Sequence, residues 1–211
     1  MNKYGIEILN QVIYYNGRIS GVVCKYKYKD EYWVEWTSKG KGIAGEIDRH
    51  KLHLNVDPIK LREQKFELYS RYCQNGDIRL YPESLEIIKL LKTIYPIAIA
   101  SGSWKHDISA ILKNAEVENI FDVILGKESA KKEKPHPDIF LNAAKALQHD
   151  PSQCIVIEDA LKGLSASKAA GMSCIIIRNR LNQNIDFSEA DLIFSSLSDF
   201  LTTIKLCSNL R

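Results

Sequence analysis

No run in this chain approaches the ~20 consecutive apolar residues that a membrane-spanning helix requires. The first residues, MNKYGIEILNQVIYYNG, lack the apolar segment and the small-residue cleavage site of a secretory signal, because Glu7 interrupts the apolar stretch. Cysteine is sparse and unpaired. Cys24, Cys73, Cys154, Cys174 and Cys207 are odd in number and widely spaced, and no two form a C-x-x-C pair. That argues against a disulfide scaffold or a zinc cluster and predicts a reducing, cytoplasmic setting. Eleven Gly and six Pro in 211 residues are too few for a collagen-like or low-complexity chain. No internal repeat of useful period occurs.

What is present is ordinary globular material: 45% hydrophobic and 26% charged residues, enough for one sizeable core or a core with a small appendage. The net charge of +3 is unevenly placed. Residues 1–56 carry nine Lys or Arg against six Asp or Glu, and the remainder carries twenty of each. Such a basic segment is either a solvated face or a surface for an acidic partner. It is too weakly basic for a nucleic-acid interface.

Period changes along with charge near residue 57. From Val12 to Val56 the chain reads as five short strands punctuated by turns. VIYY ends at Asn16-Gly17, a strong hairpin signal, and GVVCKYKY alternates before Lys29-Asp30-Glu31 leads into YWVEW. LHLNV follows the Gly-rich KGKGIAG. The layout predicts a small antiparallel β module over 1–57 and resembles an SH3-like or Tudor-like barrel. Tyr26, Tyr28, Trp33 and Trp36 are then either its internal core or an exposed aromatic surface for a protein partner.

After Asp57-Pro58 the period becomes helical, with IKLREQKFELYSRYCQN stopping at Asn75-Gly76 and PESLEIIKLLKTIY starting at Pro82. Apolar runs then alternate with amphipathic segments: IAIAS, FDVILG, CIVIED and CIIIRN, each followed by a helical pattern or by the final LIFSSLSDFLTTIK. That order predicts a three-layer α/β core over 58–211, a parallel sheet covered on both faces. Functional groups in such sheets belong at the carboxyl ends of the strands.

Three polar clusters fall there. Ser101-Gly102-Ser103 follows IAIA and offers a hydroxyl with free backbone N–H groups, suited to a phosphate oxygen or, alternatively, to capping the next helix. Lys134-Pro135-His136-Pro137-Asp138 opens the next helix but one; Lys134 is either a rim charge for phosphate or one more solvent lysine of KESAKKEK, and His136 is an exposed spacer. Glu158-Asp159 ends CIVI, where hard carboxylate oxygens suit Mg2+, while Asp159 could equally cap the helix after it. Gly163 and Gly171 suggest close helix–sheet packing and a helix stop.

In this order, IAIASGS, KEKPHPDIF, CIVIEDALKGLSASKAAGM and ADLIFSSLSDF resemble the haloacid dehalogenase superfamily, within its β-phosphoglucomutase-like and phosphoglycolate-phosphatase-like group, over residues 59–203. The resemblance implies a Mg2+-dependent phosphatase or phosphomutase acting on a small phosphorylated metabolite. It makes Ser101, with Gly102, the phosphate-binding turn, Lys134 the phosphate-stabilising lysine, and Asp159 and Glu158 the metal-holding pair. It also makes residues 58–76 the last helix of a cap domain.

The family's opening motif, an apolar strand ending in D-x-D-G, does not occur in these 211 residues. It would supply the aspartate nucleophile and an acid/base aspartate. The nearest degenerate match is LHLNVD, placing Asn55 where the nucleophile belongs and Asp57 two residues later. An amide cannot form the acyl-phosphate, so impaired turnover is expected, and the alternative is a non-catalytic relative that binds phosphate and metal. In the family that strand lies between those ending in Ser101 and Glu158. Its loss leaves a slot roughly 9–10 Å wide, lined by unpaired backbone. LHLNV, and next EILNQVIYY, are expected to fill it.

Overall fold

The computed structural model describes residues 7–10, 24–28, 32–34 and 58–208. Its compact units are residues 1–66 with 180–186, and residues 67–179 with 187–211. The division falls inside the first helix rather than at its start.

In the first unit, β1 (Glu7–Asn10), β2 (Cys24–Tyr28) and β3 (Tyr32–Val34) form an antiparallel sheet in the order β1-β2-β3. Tyr28 faces Tyr32 across residues 29–31, so β2 and β3 pair on either side of the predicted Lys-Asp-Glu turn. Glu7–Asn10, part of EILNQVIYY, pairs with β2. VIYY and LHLNV lie outside the described residues, as does the closure of any barrel.

Helix α1 (Pro58–Asn75) ends where Gly76 adopts φ +79°, a left-handed conformation that glycine takes without steric cost. Helix α2 (Pro82–Lys92) begins on its proline, whose missing N–H costs nothing in a first turn. Then follow β4 (Ala98–Ala100), α3 (Lys105–Asn114), β5 (Val123–Leu125), α4 (Asp138–Leu147), β6 (Ile155–Glu158), α5 (Leu161–Ala169), β7 (Ser173–Ile177), β8 (Leu192–Phe194) and α6 (Leu197–Ser208). All the strand pairs of this unit are parallel: β4 with β5, and β6-β7-β8 in order. Helix α4 packs on β4 and β5 and also on α5, which lies against β6 and β7. The two halves of the sheet therefore share one helical layer.

The hydrophobic cores follow from strand alternation and helix periodicity. Under β4 and β5, buried Ile108, Leu112 and Val117 pack with Leu80, Leu85, Ile99, Phe121 and Ile124. On the other half, Ile87 of α2 and Phe200 and Leu201 of α6 close over Ile175, Ile177 and Phe194. Each such buried side chain contributes roughly 1.5–3 kcal/mol by leaving water. The opposite face carries Val156, Cys174 and Ile176, all buried.

Two features differ from expectation. CIVI reads as a strand covered on both faces, yet Ile155 and Ile157 are 65% and 43% exposed. Register explains it: Ile157 sits beside Ile175, but α2 and α6 cover that face only over β7 and β8. Among the described strands, β4 pairs only with β5, and β6 only with β7. Ser101 and Glu158 are thus not on adjacent strands, but β1, from the expected filler EILNQVIYY, pairs with β2 rather than with β4 or β6, and LHLNV lies outside the described residues.

Candidate active site

Parallel strands deliver their polar ends to one edge of the sheet, and the Glu158 cluster is built there. The turn before α4, closed by the His136 N–H donating to Glu133 O at 3.0 Å, brings the Lys134 ammonium 2.5 Å from Glu158 Oε1. Both side chains are nearly enclosed, at 11% and 12% exposure, and the Lys134 charge also lies 4.4 Å from the Phe140 ring centre. The other Glu158 oxygen, Oε2, accepts the backbone N–H groups of Asp159 at 3.1 Å and Ala160 at 3.2 Å. Glu158 therefore satisfies the entry to α5 and simultaneously anchors Lys134. Helix α5 starts after Ala160 with no side-chain cap bond from that residue, and Glu158 bonds the two amides that precede the helix. Gly163 makes room for it: a Cβ there would fall inside the Glu158 carboxyl group.

Asp159 stands differently. Its Oδ2 accepts the side-chain N–H of Asn179 at 2.9 Å, a neutral donor from beyond the end of β7. Part of Asp159 is open to solvent, but surrounding atoms desolvate its carboxyl, and burial, followed by the Glu158 charge, pushes its pKa above the ordinary carboxylate value. Two carboxylates in sequence, Glu158 bonded to Lys134 and Asp159 to Asn179, gather hard oxygens at the end of β6. Among the described residues no third carboxylate, histidine or cysteine joins them. The donor set fits Mg2+, which takes one or two carboxylates and completes its shell with water and phosphate oxygens.

The second phosphate-type element is the turn after β4. Ser101 continues the strand ladder, its N–H donating to Leu125 O at 3.0 Å. Its Oγ accepts the N–H of Ser103 at 3.1 Å, closing a tight turn around Gly102. Helix α3 begins after Trp104 without a serine cap; Glu128 instead accepts the Lys105 N–H at 3.1 Å. Ser101 is therefore not a helix cap; its hydroxyl oxygen serves the turn through the Ser103 N–H. Lys127 lies 3.9 Å over the Trp104 ring beside this turn.

A model of the family described as haloacid dehalogenase-like hydrolase matches residues 19–177. The chain belongs to the haloacid dehalogenase-like hydrolases. Over 202 residues the chain is 32% identical to a bifunctional riboflavin kinase/FMN phosphatase of Arabidopsis thaliana, covering 92% of the chain and 53% of that protein. Over 127 residues it is 33% identical to the fructose-1-phosphate phosphatase YqaB of Escherichia coli K12, covering 59% and 65%. Its fold superposes on CbbY of Rhodobacter sphaeroides, crystallised with xylulose-(1,5)bisphosphate, with a TM-score of 0.61 and 25% identity over 75% of this chain and 69% of that one. The chain spans about half the length of the first of these relatives. The family match starts well ahead of α1, so the likeness reaches into the segment that charge and period set apart.

Among the residues singled out from sequence, the structure joins Lys134, Glu158 and Asp159, and places Ser101 and Gly102 at another strand end. Asn55 and Asp57 lie outside the described residues. His136 is exposed, as expected. Asn179 was missed, although CIIIRN ends in a polar residue just as CIVIED does.

Proposed function

We propose that this hydrolase family member is a Mg2+-dependent phosphatase or phosphomutase for a small phosphorylated metabolite, with turnover impaired by the absence of a D-x-D-G segment from these residues. The observation that carries the reading is the enclosed Lys134–Glu158 pair beside Asp159 at the strand ends. Glu158 holds Lys134 at the rim, where its ammonium faces incoming phosphate as a point charge. Ser101 Oγ and the backbone around Gly102 bind a phosphate oxygen. Asp159, with Glu158 beside it, holds the metal. When bound, Mg2+ would supply positive charge to a transferring phosphoryl group. The relatives named for FMN and fructose-1-phosphate phosphatase activity support a phosphorylated small molecule as the substrate class.

The test is hydrolysis of p-nitrophenyl phosphate and a panel of sugar phosphates, with Mg2+ or with EDTA. Wild type is compared with Asp159→Ala, Lys134→Ala and Asp57→Ala. Low turnover that needs Mg2+ and vanishes in Asp159→Ala and Lys134→Ala supports the reading. Turnover indifferent to all three variants defeats it.

The excess positive charge of residues 1–56 favours a second reading, a non-catalytic phosphate- and metal-binding relative whose N-terminal module engages a protein partner. Folded protein that binds phosphate and Mg2+ but never turns over would select it.

A further inference from the structure

We infer that Asn179 is the positioning residue for the Asp159 carboxylate, setting which of its oxygens faces a bound divalent cation. This rests on the reading above that Asp159 holds the metal.

The argument begins with register. Strands β6 and β7 run parallel with Glu158 beside Ile176, so the chain emerging from β7 passes the residues emerging from β6. Beyond β7 the backbone is held to β8, with the Arg178 N–H donating to Phe194 O at 2.8 Å. Asn179 is thus fixed by the strand ladder, and its amide reaches Asp159 Oδ2 at 2.9 Å. An aspartate side chain turns about two torsions, and each bond to its oxygens narrows them. One directed hydrogen bond removes much of that freedom before any ligand arrives.

The donor's neutrality matters as much as its direction. The nearby cation, Lys134, is bonded to Glu158. A second lysine or an arginine at position 179 would neutralise Asp159 and compete with a metal for it. An asparagine orients the carboxylate without adding a charge of its own. Glu158 is bound to Lys134 and to the Asp159 and Ala160 amides, whereas Asp159 Oδ2 accepts the Asn179 amide.

The experiment titrates Mg2+ into the full chain by calorimetry, with inorganic phosphate titrated separately without metal. Wild type is compared with Asn179→Ala, Asn179→Gln and Asp159→Ala, and each melting temperature is recorded. Asn179→Ala is expected to weaken Mg2+ about tenfold, the usual loss for a residue that orients a metal ligand. Asn179→Gln, which keeps an amide donor, should lose less, and phosphate affinity and melting temperature should stay near wild type. Equal Mg2+ affinity in wild type and Asn179→Ala overturns the inference alone. Weakened Mg2+ binding only in step with a lowered melting temperature also overturns it, since the role would then be structural. A wild-type chain that binds no Mg2+ sinks both this inference and the metal-dependent function on which it rests.

Discussion

Gly163 lies so close to Glu158 that no other residue could take its place without moving the carboxylate. The relation crosses from the first turn of α5 back to the end of β6, and it sets the space in which Lys134 meets Glu158. Gly163→Ala is therefore expected to displace Glu158, at a cost of about 1–3 kcal/mol, the range for overpacking a close contact. Urea unfolding would measure it. An alanine variant as stable as wild type would show that the α5 entry yields easily.

Lys134 and Glu158 are enclosed enough for their mutual dependence to be large. Removing one partner of a buried pair costs about 3–5 kcal/mol, and the residual exposure here discounts that to about 2–3 kcal/mol. Lys134→Met should destabilise the chain by that amount, and the double variant Lys134→Met/Glu158→Gln should recover most of it. A double-mutant cycle by urea denaturation checks both. Additive losses would mean that the pair is not coupled.

Asp191 and Asp122 make the fold acid-sensitive. Asp191 is bonded first to the Lys168 ammonium and then accepts the Cys174 N–H at 2.6 Å; both hold its pKa below the ordinary value. Asp122 is lowered likewise by Lys92 and by the Ile97 N–H. A depressed carboxylate pKa contributes stability above its unfolded value of about 3.9, and that stability is lost as pH falls through the folded value. Asp191→Asn should accordingly be less stable than wild type at pH 7, and the gap should close in strong acid. Urea midpoints across pH 7 to pH 2.5 test the sign; a gap that widens on acidification would contradict it.

Asp107, at 2% exposure, is a buried acid in the first turn of α3, and its hydroxyl donor Ser70 comes from α1. His106 Nε2 lies 3.2 Å from both Ser70 Oγ and Asp107 Oδ1. Ser70→Ala removes a partner of a buried carboxylate, at about 1–3 kcal/mol. The loss should concentrate at the junction of the two helices, seen as faster amide exchange over 67–75. Unchanged exchange there would mean that α1 is held by packing around buried Cys73 rather than by this bond.

Much of the core was legible because its signals are contiguous. Helix α1 stops at Asn75-Gly76 and α2 starts at Pro82, since a left-handed glycine and an N-terminal proline act locally. The parallel strands follow from uninterrupted apolar runs; Glu158 and Asp159 could be picked out because they end such a run, and Lys134 because it opens KPHPDIF. Asp159 was open to two uses, metal ligand or helix cap, and the cap position falls on Ala160. Which of two adjacent acids meets the amides between strand and helix depends on backbone direction after the strand, and the residue types alone do not encode that direction.

Local chemistry determined the elements of this chain, the parallel character of its strand pairs over 98–194 and the residue types gathered at the strand ends. Tertiary structure decided how those residues are used. Lys134 is separated from Glu158 by 24 positions and Asn179 from Asp159 by 20, so neither pairing has a local signature. The second arises because adjacent parallel strands β6 and β7 end side by side, the first because the turn before α4 reaches the end of β6. Likewise Ile155 and Ile157 have the composition of a buried strand and yet are exposed, because burial depends on what lies across the sheet face, and α2 and α6 stop over β7 and β8.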